Sequence, residues 1–117
     1  MNNTMVKVIT NEIYPPHITV FLGTSATEIK TYFDEHCPEN KIIDFFIYTC
    51  AGYTIQDAHG DVWLIIHSDY CTDHSIIAHE AFHATEYIMD FVGVKHSSKS
   101  SEAFAYLLQH IVKKIIE

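Results

Sequence analysis

Positive charge is scarce in this chain. Seven Lys and Arg stand against fifteen Asp and Glu, and the formal net charge is -8. Nucleic-acid phosphate is neutralised by Lys and Arg, so no nucleic-acid partner is expected, nor an anionic membrane surface. The acidic balance reads as solubility. Cysteine is sparse too. Cys37, Cys50 and Cys71 make an odd count, and no Cys-x-x-Cys occurs. That argues against a disulfide framework and for free thiols in a reducing compartment. No apolar run approaches the length of a membrane span. Met1-Asn2-Asn3-Thr4 lacks the basic and apolar regions of a signal peptide. Internal repeats and linkers are missing as well. What remains is the expectation of one cytoplasmic domain over residues 1–117, a monomer or small homo-oligomer. With 48% hydrophobic residues it can bury a core without staples.

The elements follow from pattern. Met5 to Thr10 and His17 to Leu22 are β-rich, with Tyr14-Pro15-Pro16 as a break between them. Ser25 followed by Glu28 is a capping-box pattern and opens a helix to His36, with Ile29, Tyr32 and Phe33 as its apolar stripe. Lys41 to Cys50 is predicted as a strand from its β-branched and aromatic residues. Gly52 to Gln56 and Val62 to His67 are predicted to pair as a hairpin around Asp57-Ala58-His59-Gly60-Asp61. Asp73 is a predicted N-cap for a long helix that stops at Gly93. Ile77, Ala81, Ala84, Ile88 and Phe91 form its apolar face. Ser100 or Ser101 caps a last helix to Ile116, with Phe104, Leu107, Leu108, Ile111 and Ile115 inward. Lys113 and Lys114 suit its C-terminal dipole. Strands followed by helices predict an α+β fold with a small mixed or antiparallel sheet.

The long helix carries His79-Glu80-Ala81-Phe82-His83. Residues four apart share a helix face, so both imidazoles can point at one spot. Two imidazoles with an adjacent carboxylate form the front of a zinc hydrolase site. With nine His in the chain, a chance His-Glu-x-x-His is roughly a one-in-twenty event, so its placement on a capped helix matters. Catalytic zinc needs a third protein ligand. A third His in a Gly turn just after the motif would need Gly where Glu86 stands. His96 is a loop candidate. Glu102 opens the next helix beside the small residues Ala103 and Ala105, and is the stronger candidate.

His79-Glu80-x-x-His83 followed by Ser101-Glu102-Ala103 on a later helix resembles the gluzincin-type zinc metallopeptidases. The likeness is to the small single-domain zincins of phage and prophage, over about Val62 to Glu117. It implies a zincin-like fold with one zinc held by His79, His83 and Glu102, and with Glu80 as catalytic base. It implies cleavage of a peptide or protein substrate laid along an edge strand, here Val62, Trp63, Leu64, Ile65 and Ile66. Larger members use a second helical domain to supply a transition-state-stabilising His or Tyr, for which this chain has no room. Tyr106, His110, Tyr70 and His74 are the nearby candidates for that role. Glu86 and Tyr106 are candidates to orient the imidazoles. Two further functions are carried beside this one. One is a repressor-cleaving regulatory metalloprotease of the immunity-regulator type. The other is a zinc-binding interaction module that no longer cleaves.

Overall fold

Val-Trp-Leu-Ile-Ile is apolar at every position, which is the pattern of a strand buried on both faces. The computed structural model, which describes residues 5–36 and 51–117, places that strand inside the sheet. Its elements run β1 (Met5–Ile9), β2 (Ile18–Leu22), α1 (Ala26–His36), β3 (Gly52–Gln56), β4 (Val62–Ile66), α2 (His74–Phe91) and α3 (Ser101–Ile116). The sheet order is β1-β2-β4-β3. β4 pairs parallel with β2 and antiparallel with β3, while β1 pairs antiparallel with β2. The fold is therefore a small α+β arrangement with a mixed sheet and, among the described residues, three α-helices. The predicted strand Lys41 to Cys50 lies outside the described residues.

One expectation is corrected here. Val62, Trp63, Leu64, Ile65 and Ile66 are not an edge for substrate. All five are buried, and both flanks of the strand are hydrogen-bonded to neighbours. A backbone paired on both sides has no free N–H or C=O to offer a peptide.

Alternation along the strands separates two cores. Ile18, Val20, Val62, Leu64 and Ile66 point to one face, where they pack with Ile77, Ala81, Ala84 and Ile88 of α2 and Leu107 and Ile111 of α3. Phe21, Trp63 and Ile65 point to the other face, against Ile29 and Phe33 of α1. Both helical stripes are those the sequence pattern predicts, save Phe91. That ring is exposed and lies over Gly60, where a Cβ would come to 2.5 Å from it.

Capping follows the chemistry. Asp73 Oδ1 accepts from the backbone amides of Ser75 and Ile76 at the start of α2. The Ser75 hydroxyl and then those amides hold the Asp73 carboxyl below its ordinary range. Gly93 takes φ 81° just past the helix. Ser25 Oγ accepts from the Glu28 amide at the start of α1. Ser100 differs from expectation. It stands at the N-cap of α3 but makes no side-chain cap bond. Its hydroxyl donates instead to the Lys95 carbonyl at 2.6 Å, closing the loop before the helix. At the other end of α3, Lys7 of β1 donates to the carbonyls of Lys114, Ile115 and Glu117. An ammonium there satisfies orphan carbonyls and suits the dipole.

The β3–β4 turn is built around Asp57, which is buried. Its carboxylate accepts from the amides of His59 and Asp61 and from the Trp63 indole at 3.0 Å. Asp57→Ala would strand all three donors, the indole one inside the core. We expect a loss of about 2–4 kcal/mol, read by urea unfolding. A change under about 0.5 kcal/mol, the level of a surface substitution, would contradict this account.

Candidate metal centre

α2 lays its motif along the boundary between core and solvent. Ile77, Ala81, Ala84 and Ile88 face inward, which turns His79 and His83 outward on the neighbouring stripe. Their Nε2 atoms stand 3.2 Å apart, with ring centroids 4.9 Å apart. Two nitrogens on one tetrahedral zinc, each at about 2.0–2.1 Å, lie roughly 3.3–3.4 Å from each other. The pair thus has the spacing of two corners of a zinc site.

Glu80 is treated differently by the fold. It is 6% exposed and points at β3 rather than at water. Thr54 Oγ1 donates to its Oε1 at 2.6 Å. Its Oε2 is left facing His79 Nε2 from 3.9 Å. Room for the carboxylate comes from Gly52: a Cβ there would sit 2.6 Å from Glu80 Cγ and 2.9 Å from Oε2. A buried carboxylate without a donor would be costly. Thr54 lowers that cost and selects which oxygen stays available. Thr54 and Gly52 are contacts of Glu80 that the sequence reading missed. They stand in a separate element and carry no spacing signal relative to the motif.

The remaining site residues are dispersed. Glu86 Oε1 is 3.8 Å from His83 Nδ1, the ring nitrogen turned away from His79. This is the side on which an orienting carboxylate acts, at a length beyond a hydrogen bond. Glu102 is exposed on the first turn of α3. Among the described residues, no group of three or more His, Cys, Asp or Glu is gathered as a metal site, so Glu102 does not join the pair. The reason is axial offset. Ile77 and Ile115 line one cavity and Tyr87 and Phe104 another, so α2 and α3 run antiparallel. α2 continues eight residues past His83, about 12 Å of helix, before the loop that leads into α3. His96 lines the same groove as His83, with its ring edge-on to Phe104 at 4.7 Å.

The candidate electrophiles are also apart. Tyr106 is 66% exposed. His110 Nε2 bonds the Thr10 carbonyl at 3.0 Å. His74 lines the cavity at the far end of the helix pair, beside Cys71 and Ile115. Tyr70 lies in the 3-10 turn Ser68–Tyr70 after β4, against His67. Cys71 is a half-buried free thiol whose pKa is pushed up by burial. Its place in the far cavity removes it from the histidine pair.

Compared with protein-family models, curated proteins and solved structures, the chain finds no match. Among the described residues, no helix is long and apolar enough to cross a membrane.

Proposed function

We propose that the chain is a zinc-dependent peptidase of zincin-like build, with His79 and His83 as metal ligands and Glu80 as general base. The observation that carries the reading is the 3.2 Å Nε2–Nε2 pair with Glu80 Oε2 beside it. Zinc, when bound, supplies Lewis acidity toward water and a peptide carbonyl. The residues supply the rest. Thr54 occupies one Glu80 oxygen, so Oε2 is the atom left to take a proton from water. Protonated Glu80 then returns that proton to the leaving amine. Burial of the carboxylate limits competing contact with solvent.

Metal analysis tests the reading. The chain is expected to take up one zinc, and His79→Ala or His83→Ala to weaken uptake at least about a hundredfold. Wild-type zinc affinity in both variants would sink the site. Glu102→Ala and His96→Ala, measured alongside, test whether either residue supplies a third donor when zinc is bound, since neither is gathered with the pair.

A second reading rests on the dispersed third donor and electrophiles. Under it the chain is a zinc-binding interaction module without peptidase activity. The two readings agree on the histidines and part at Glu80.

A further inference from the structure

The groove that begins at His83 runs along α2 toward the loop before α3 and encloses about 560 Å³. Its lining is mixed. Glu86 and Asp90, one turn apart on α2, contribute carboxylates, and Tyr87 and Phe104 contribute aromatic surface. Phe104 is buried and gives the groove a firm wall from the core, while Tyr87 is at the edge of exposure. Among the described residues, Asp90 makes no ion pair, and Glu86 meets only His83. Lys95 also lines the groove and pairs with neither carboxylate. Two carboxylates against one ammonium leave the groove negative, within a chain whose net charge is -8.

We propose that this groove is a substrate subsite that accepts a basic side chain, Lys or Arg, of a peptide reaching the His79–His83 pair. The proposal extends the peptidase reading and rests on it for the word substrate. The chemistry is complementary at both ends of such a side chain. A Lys or Arg carries an apolar stem that can lie on Phe104 and Tyr87, and a cation that can reach Glu86 and Asp90. An acidic side chain would meet like charge at the same place, and a short apolar one would leave the carboxylates desolvated without a partner. His83 lines one end of the groove, so a side chain seated there keeps its own backbone next to the imidazole pair.

The test is a titration of the Glu80→Gln chain, with equimolar zinc, by two peptides identical but for one Lys or norleucine. Amide shifts are expected to move over residues 79–96, with the Lys peptide bound about tenfold tighter. Asp90→Asn is expected to weaken Lys-peptide binding about two- to fivefold, and Asp90→Glu to restore it. Equal affinity for the two peptides, or shifts confined to residues outside 79–96, would overturn the proposal. Zinc uptake and cleavage by the wild-type chain are read separately. Equal cleavage of both peptides removes the subsite and spares the peptidase reading. Lys-selective binding in the groove without zinc uptake removes the peptidase reading and spares the groove.

Discussion

Glu80→Gln is expected to lower peptide cleavage by about a hundred- to ten-thousandfold while zinc uptake stays at the wild-type level. The side chain keeps its shape, and its amide oxygen can still accept from Thr54 as Oε1 does at 2.6 Å. What it loses is basicity at the second terminal atom, the one facing His79 Nε2 from 3.9 Å. An amide nitrogen there cannot take a proton from water. The substitution also removes a carboxylate that is 6% exposed. A neutral amide at that depth is cheaper to bury, so the unfolding midpoint is expected not to fall. The combination separates chemistry from folding: activity lost, metal kept, stability kept. It is checked by kcat/KM on a fluorogenic peptide, metal analysis and thermal unfolding of the same sample. Full activity in the variant would remove Glu80 as base. Absence of cleavage by the wild-type chain, with zinc bound, would favour the interaction module.

Gly52→Ala is expected to act on the same carboxylate from the strand side. Its Cβ would stand 2.6 Å from Glu80 Cγ and 2.9 Å from Cδ. Those atoms are not the loose end of a surface chain. They belong to a buried residue tied to Thr54, so either Glu80 swings away or β3 shifts from α2. Overpacking of this kind costs about 1–3 kcal/mol. A base displaced by about 1 Å loses roughly a hundredfold in kcat/KM. The double variant Gly52→Ala/Glu80→Ala distinguishes local clash from general damage. Removing the Glu80 side chain is expected to relieve the instability caused by the added methyl group, giving a non-additive cycle. Additive losses would place the harm elsewhere than in the Glu80 contact.

Several elements were legible because their signals are local. Asp73 and Gly93 bracket α2, since a short acceptor satisfies first-turn amides and a glycine tolerates φ 81°. The hairpin of β3 and β4 follows from a Gly-containing turn between β-rich runs. The apolar stripes of α2 and α3 follow from spacing, and nearly all their members are buried. Other features were not legible. Ser100 has the residue type of a cap, but its hydroxyl is drawn to the Lys95 carbonyl by loop closure. The edge role assigned to Val62 through Ile66 came from family likeness. Apolar side chains on both faces indicate a covered strand but not which strands flank it, and β2 and β3 do.

His79 and His83 are paired by the helical repeat alone, and the 3.2 Å approach of their Nε2 atoms is that repeat expressed in side chains. A spacing of four residues within one capped helix needs no other part of the chain to set it. The state of Glu80 was decided only by tertiary structure. Its neighbours in sequence make it a helix residue, but Gly52 and Thr54 make it a buried, oriented carboxylate. The same holds for Glu102, which sequence puts on the next helix and antiparallel packing puts opposite the end of α2. Spacing within a helix is fixed by about 1.5 Å of rise and about 100° of turn per residue, whereas contact between elements depends on how whole faces dock.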